Sequence, residues 1–187
     1  MPEAELIEGL KQKQEPAFRE LVTSFQHRVY NTALSLVQNE GDAEDLAQEV
    51  FIKVFHNIGQ FKGEAQLSTW IYKITVTQAL DFLRKKKRQK RGGLLVSMFN
   101  KPADEWDTPD FSHPGVKTEN KEDSAILFKA IRQLPENQQT AFVLQKLEGL
   151  KQDEIAKVLE TTVSSVESLL HRAKQNLRKL LADHYQQ

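Results

Sequence analysis

Residues 68–91, STWIYKITVTQALDFLRKKKRQKR, contain the helix on which the fold prediction depends. At about 100° of rotation per residue, one narrow stripe of this helix combines an aromatic ring with polar and charged groups, and the helix ends in seven basic side chains. The stripe consists of Trp70, Lys73, Thr77, Asp81, Arg84 and Arg88. The broader apolar side consists of Ile71, Tyr72, Val76, Ala79, Leu80, Phe82 and Leu83. An aromatic ring among cations can stack on an unpaired base while Lys and Arg hold phosphates, which predicts a nucleic-acid contact. The alternative is an amphipathic helix with a half-buried Trp and a solvated basic end.

The composition excludes several classes of protein. The chain has 187 residues, of which 39% are hydrophobic and 28% charged, and these values are typical of a folded chain. There is no cysteine, and the five histidines are scattered, so we expect no disulfide, no metal site and no cofactor. No apolar run approaches the ~18 residues of a membrane span, and the N-terminus lacks the order of a signal peptide. We therefore expect a cytoplasmic chain with no membrane insertion.

The net charge of zero hides a segregated pattern. Residues 1–60 carry 5 basic and 10 acidic groups, 61–91 carry 9 and 2, 92–123 carry 3 and 7, and 124–187 carry 9 and 7. A basic block of this kind neutralises phosphates, whereas the acidic segments must face something other than DNA. Two kinds of partner are implied.

Helical periodicity extends over most of the chain. A first long helix is predicted from Pro16 to about Gly41, and a second from an N-cap at Asp42 to Gly59. Ser68 or Thr69 is expected to cap the helix that carries Trp70. Gly92-Gly93 is expected to end it and to open a linker over 92–123 that contains prolines, acidic residues, Trp106 and Phe111.

The C-terminal part predicts a helix-turn-helix. After a helix interrupted at Pro135, two helices are expected over about 152–159 and from Ser164 onward, joined by a turn at Glu160-Thr161-Thr162. A plain helical bundle would give the same apolar pattern, but the second helix begins with polar groups suited to a DNA groove. These are Ser164, Ser165, Glu167, Ser168, His171, Arg172 and Lys174.

The arrangement resembles the sigma-70 superfamily of bacterial RNA polymerase specificity subunits, in its small extracytoplasmic-function (ECF) form. AFRELVTSFQHRVYNTALSLV, DAEDLAQEVFIKVF and FKGEAQLSTWIYKITVTQALDFLRKKKR are similar to the family's domain two, and LPENQQTAFVLQKLEGLKQDEIAKVLETTVSSVESLLHRAKQNLRKLL to its domain four. The resemblance implies an all-α fold with domain two over 1–91, a flexible linker over 92–123 and domain four over 124–187. A linker of this length allows the two domains to close on each other.

The resemblance also implies partners and site residues. Docking on the clamp of the polymerase β′ subunit would fall to Asp45, Gln48, Glu49 and Phe55. The minus-10 element would be read by Phe61, Lys62, Trp70, Lys73, Thr77, Arg84 and Arg88, with a flipped base in the pocket of the FKGEAQ loop. Domain four would read the minus-35 element and dock on the β flap. An anti-sigma factor is a further expected partner, because members of the family are commonly held inactive by one.

Three positions depart from the family pattern. Thr77 stands where Asn is usual, and Glu167 and Leu169 replace a common basic pair, so domain four is expected to bind DNA weakly alone, with Arg172 and Lys174 as its phosphate contacts.

Two other functions remain as alternatives. One is a helix-turn-helix regulator with an N-terminal sensing or dimerisation domain, which would bind duplex DNA without polymerase. The other is an enzyme built on the carboxylates of Asp42, Glu44, Asp45 and Glu49. No opposing acid, base or metal ligand accompanies these carboxylates, so no catalytic residue and no enzymatic activity are expected.

Overall fold

The computed structural model describes residues 1–94 and 121–185. Within these ranges every regular element is helical, in two helical domains, which confirms the predicted all-α class. The helices are α1 (Glu3–Lys11), α2 (Glu15–Val37), α3 (Glu40–Asn57), α4 (Leu67–Leu94), α5 (Lys121–Arg132), α6 (Glu136–Lys146), α7 (Gln152–Val158) and α8 (Val163–Tyr185), with a 3-10 turn at Ile58–Gln60. Most of the predicted linker, including Trp106 and Phe111, lies outside the described residues.

Helix α1 was not predicted from the sequence. Only two of its large apolar side chains, Leu6 and Leu10, are buried, which is too short a pattern to stand out in a polar segment. Gly9 lets α1 approach α2 closely, because a Cβ there would lie 2.8 Å from the Cβ of Ala17. The N-terminal domain therefore begins with a short helix packed against the long α2.

The two predicted N-caps of α3 and α4 are wrong. The side-chain oxygen of Asn39 accepts a hydrogen bond from the Asp42 backbone N–H at 2.9 Å, so α3 is capped three residues before Asp42. Ser68 and Thr69 lie inside α4, which begins at Leu67. There the carboxylate of Glu3, in α1, accepts a hydrogen bond from the Leu67 N–H at 3.3 Å.

Helix α4 also passes the point at which the sequence predicted its end. It continues through Gly92 and Gly93 to Leu94. A glycine weakens a helix through backbone entropy, but it keeps both backbone hydrogen-bonding groups, so a helix need not stop at it.

The C-terminal domain contains the predicted helix-turn-helix. Pro135 precedes α6, and α7 and α8 are the two helices of the motif. The Lys151 N–H donates to the Glu154 carboxylate at 2.8 Å, and the Ser165 N–H donates to the Thr162 hydroxyl at 3.1 Å, so both helices have capped beginnings. Glu160 turns the chain between them with a left-handed φ of 53°.

Two hydrophobic clusters hold the chain together, and one of them spans both domains. The first joins α1, α2, α3 and the start of α4, with Leu10, Leu21, Val50, Ile58 and Leu67 almost fully buried. The second combines residues of α2, α3 and α4 with residues of the C-terminal domain. Its members include Leu34, Val37, Tyr72, Val76, Leu80, Phe128, Leu144, Ile155 and Leu170. The described domains are thus packed on each other in a closed arrangement.

Candidate nucleic-acid interface

An aromatic pair stands at the start of α4. The rings of Phe61 and Trp70 have centroids 5.4 Å apart and are tilted by 55°. Phe61 is buried and Trp70 is half-buried against the N-terminal cluster, so Trp70 is less exposed than its place among polar residues indicated. The loop between them carries the exposed Lys62, and Gly63 takes a left-handed φ of 74° that favours glycine. The structure thus brings Phe61, Lys62 and Trp70 to one end of the helix.

Further along α4, two of the predicted DNA contacts are already occupied by carboxylates. The Lys73 ammonium lies 2.6 Å from a carboxylate oxygen of Glu160, in the turn of the helix-turn-helix. Arg84 donates to both carboxylate oxygens of Glu136 at the start of α6, and its bond from Nε is 3.2 Å long. These hydrogen bonds raise the pKa of Arg84, which keeps it charged. Both carboxylates belong to the C-terminal domain.

Thr77 and Arg88 are the other predicted DNA contacts on this part of α4. The Thr77 hydroxyl donates to the Lys73 carbonyl at 2.8 Å, so its hydrogen is used inside the helix. Arg88 is exposed at the basic end, beside the exposed Lys85 and Lys87. This end is open to phosphates in the closed arrangement.

Two polar groups, the buried Gln38 and the partly buried Glu148, lie at the contact between the domains. The amide nitrogen of Gln38 donates to the Phe128 carbonyl at 2.8 Å, but its Oε1 is buried with no hydrogen-bond partner among the described residues. Glu148 accepts a hydrogen bond from the Tyr72 hydroxyl at 3.3 Å. Burial raises the pKa of the Glu148 carboxyl to about 7, and the neighbouring hydroxyls of Tyr72 and Thr32 and the charge of Arg28 oppose that shift. An unpaired buried oxygen and a partly buried carboxyl that loses water both disfavour closure.

The predicted minus-35 residues share the outer surface of α8. Ser164, Glu167, Ser168, His171, Arg172 and Lys174 are exposed, and Ser165 is partly buried by its role in the N-terminal cap. An open depression of about 400 Å³ is lined by Glu167, Ser168, His171 and Arg172. Leu169 packs against the shared cluster, so this departure from the family pattern has a structural role.

The predicted polymerase contacts lie on α3. Asp45, Gln48 and Glu49 are exposed. Phe55 is half-buried, because its ring packs edge-on against Phe18 at 5.0 Å.

One further exposed residue of α3 was not among the predicted contacts. Ile52 is 55% exposed and lies one helical turn beyond Gln48 and Glu49, so an apolar side chain stands in the acidic surface. The signal was present in the sequence, since Ile52 falls outside the buried stripe formed by Leu46, Val50 and Val54.

The described residues contain no group of acidic or histidine side chains arranged to hold a metal ion. No helix among them is both long and apolar enough to cross a membrane.

Comparison with known proteins matches both domains. The family model of sigma-70 region 2 matches residues 21–89, and that of sigma-70 region 4 matches 124–177. The chain is 31% identical over 179 residues to the RNA polymerase sigma-H factor of Pseudomonas aeruginosa, which covers 95% of this chain and 92% of that protein. It is 28% identical over 183 residues to the ECF RNA polymerase sigma factor SigW of Bacillus subtilis, with 95% of each covered.

Two solved structures share the fold. CnrH in complex with the cytosolic domain of CnrY has a TM-score of 0.71 at 21% identity, with 97% of each chain covered. The sigma factor RpoE of Bartonella quintana, in complex with the anti-sigma factor NepR, has a TM-score of 0.68 at 21% identity, with 88% of this chain and 96% of that chain covered.

The raised pKa of Glu148 predicts that closure depends on pH. A carboxyl with a pKa near 7 when buried and near its ordinary 4.5 when exposed takes up a proton on closing, so closure is favoured at low pH and weakens as pH rises toward 7. Between about pH 5 and 7, the free energy of opening should fall by at most about 1.4 kcal/mol per pH unit and level off above 7. Glu148→Gln should remove this slope and stabilise the closed form at pH 8. The free energy of unfolding in urea between pH 5 and 8 measures the effect, because unfolding exposes Glu148 as opening does; the exposed Glu167→Gln is the control. Identical slopes in all three proteins would contradict the prediction.

Proposed function

The chain belongs to the ECF branch of the sigma-70 family of RNA polymerase sigma factors, and we propose that the residues described above give core polymerase its promoter specificity. It is a transcription initiation factor whose partners are core RNA polymerase and promoter DNA. The observation that carries the residue assignment is the Phe61 and Trp70 pair at the head of the basic helix α4. We divide the chain into a minus-10 and polymerase-binding domain over 1–91, a linker over 92–123 and a minus-35 domain over 124–187, with α4 extending into the linker to Leu94 and α5 starting within it at Lys121.

The N-terminal domain reads the minus-10 element as single strand. A base flipped from the non-template strand binds at the loop from Phe61 and Lys62 to Gln66. Trp70 stacks at the edge of the melted duplex, while Lys73, Thr77, Arg84 and Arg88 follow the strand. Unstacking costs a few kcal/mol per base step, and the stacking and phosphate contacts offset this cost without ATP.

The C-terminal domain reads the minus-35 element as duplex. The surface residues Ser164, Ser165, Glu167, Ser168 and His171 face the major groove at the start of α8, and Arg172 and Lys174 contact phosphates. Glu167 repels phosphates, so this domain needs the polymerase for tight binding.

The exposed surface of α3 binds the β′ clamp. Asp45, Gln48 and Glu49 provide its polar and charged contacts, and Ile52 and Phe55 its apolar ones. The 55% exposure of Ile52 supports this assignment, since binding a partner there would remove the apolar side chain from water. The C-terminal domain docks on the β flap of the polymerase.

Promoter binding requires the domains to separate. Lys73 and Arg84 cannot hold phosphates while Glu160 and Glu136 hold them. We infer that polymerase separates the domains by binding each one. An anti-sigma factor, which the related RpoE structure contains, could keep a sigma factor of this family from polymerase. The protein acts in the cytoplasm, where polymerase is, and has no enzymatic activity of its own.

Run-off transcription tests the proposed function. Core polymerase with this protein should produce transcripts from a fragment library of the source genome that core alone does not. No polymerase binding together with tight binding of the protein alone to symmetric duplex sites would instead support the helix-turn-helix regulator.

Replacing Trp70 tests the stacking role. Trp70→Ala should slow promoter melting roughly tenfold, because stacking on one aromatic ring contributes about 1–3 kcal/mol. Trp70→Phe keeps a ring and should retain more of the rate. Melting is measured with 2-aminopurine in the minus-10 element, and core affinity and thermal midpoint serve as controls. An unchanged melting rate in Trp70→Ala would remove Trp70 from the mechanism.

Replacing Glu49 or Ile52 tests the clamp interface. Glu49→Lys places a cation where an anion is expected, and Ile52→Ser removes an apolar contact, so both should weaken core binding about tenfold. Glu5→Lys, on α1 and also exposed, makes the same charge change away from the interface. Fluorescence anisotropy with labelled protein measures the affinity. Equal affinities of Glu49→Lys and Glu5→Lys for core would refute the placement.

Neutralising the two carboxylates tests the need for opening. Glu136→Gln combined with Glu160→Gln should raise the affinity of the free protein for a single-stranded minus-10 oligonucleotide about fivefold, because exposed ion pairs are individually weak. The control is Glu15→Gln, which breaks the 2.6 Å ion pair with Arg19 inside α2. The affinity is measured without polymerase. An unchanged affinity in the double variant would show that these carboxylates do not block the strand.

A further inference from the structure

Helix α1 reaches both ends of the segment that contains the loop proposed to bind the flipped base. This segment, Ile58 to Gln66, is called the recognition loop below. Before it, the Lys13 ammonium donates a hydrogen bond to the Phe55 carbonyl and lies 4.3 Å from the centroid of the Phe55 ring. After it, the Glu3 carboxylate caps the first residue of α4, Leu67. Glu3 begins α1, and Lys13 follows its last turn.

Apolar contacts join the same helix to the loop itself. Leu6 and Leu10 belong to one buried cluster with Ile58, Phe61 and Leu67. The contact between α1 and α2 is close at Gly9, where there is no room for a Cβ beside Ala17. Helix α1 is thus fixed to α2 on one side and to the recognition loop on the other.

The end of α1 is held in a backbone conformation that non-glycine residues seldom adopt. Lys13 has a φ of 58°, in the left-handed region. Its N–H donates to the Leu10 carbonyl, and the Gln14 N–H donates to the Gly9 carbonyl, which turns the chain from α1 into α2. A lysine in this strained position directs its ammonium to the carbonyl of Phe55.

We propose that α1 is a brace that sets the position of the recognition loop, with Glu3 and Lys13 as its two positioning residues. The proposal rests on the proposed function of that loop in base recognition. Helix α1 precedes the segment matched by the region 2 family model, which starts at residue 21. Neither residue touches DNA in this scheme: both act through Phe61 and Trp70, which lie 5.4 Å apart on either side of the end of the loop.

Amide hydrogen exchange of the free protein tests the brace without polymerase. Glu3→Ala should speed exchange over residues 58–67 about fivefold, the usual effect of losing one helix cap. Glu3→Gln keeps a side-chain oxygen that can accept from Leu67 and should restore slow exchange. Lys13→Ala should act on the same segment from its other end. The controls Glu5→Ala and Lys11→Ala remove the same charges from exposed positions of α1.

The functional consequence is measured in the assembled holoenzyme. On promoters that carry single-base changes in the minus-10 element, Glu3→Ala and Lys13→Ala should reduce the discrimination in melting rate about fivefold. Core affinity should stay unchanged in Glu3→Ala, which is the decisive variant because Lys13 also contacts Phe55 of the proposed clamp surface. Glu3→Gln should restore the discrimination, because it can still accept the hydrogen bond from Leu67. If Glu3→Ala acted only by lowering the stability of the whole domain, this rescue would not be expected.

Each outcome decides one part of the proposal. Unchanged exchange over 58–67 in both alanine variants overturns the brace. Faster exchange with unchanged base discrimination overturns the positioning role. A wild-type holoenzyme that produces no promoter-specific transcript contradicts the proposed function instead, and the exchange rates still decide whether α1 holds the loop.

Discussion

Opposite charges meet where the two domains of this protein touch. Lys73 and Arg84, on the helix proposed to bind DNA, are paired with Glu160 and Glu136 of the other domain. A carboxylate offers a cation the same charge-assisted hydrogen bonds as a phosphate, so closure and DNA binding compete for these side chains. The closed arrangement therefore determines what the free protein can bind, and the remaining features of the contact determine how easily it opens.

Some groups at the contact between the domains stabilise the closed form, and others destabilise it. Apolar residues of both domains share one buried cluster, which favours the closed form. Against this, Gln38 buries an unpaired amide oxygen, and Glu148 partly buries a carboxyl whose pKa is raised to about 7. Both groups regain water when the domains part. An interface with such polar groups can be separated by a partner that binds each domain more tightly than the domains bind each other.

Local patterns in the sequence predicted the helices and the fold class, because apolar periodicity and turn residues act over a few positions. Local patterns failed where contacts between residues far apart in the sequence determine the structure. The cap of α4 comes from Glu3, 64 positions before Leu67, and α1 itself has too few apolar residues to be seen. The candidate site was predicted as a set of side chains. Its pairings, such as Lys73 with Glu160 across 87 positions, depend on how the domains pack, which no local pattern contains.

The distance between the domains tests this account most directly. Because the chain has no cysteine, Thr23→Cys and Lys179→Cys, at exposed positions on α2 and α8, would be unique sites for a pair of fluorescent dyes. We predict high energy transfer in the free protein and a large loss of transfer when core polymerase and promoter DNA are added. Equal transfer in the free and polymerase-bound protein would contradict the account, since the carboxylates of one domain would then still hold the cations that the other domain needs for DNA.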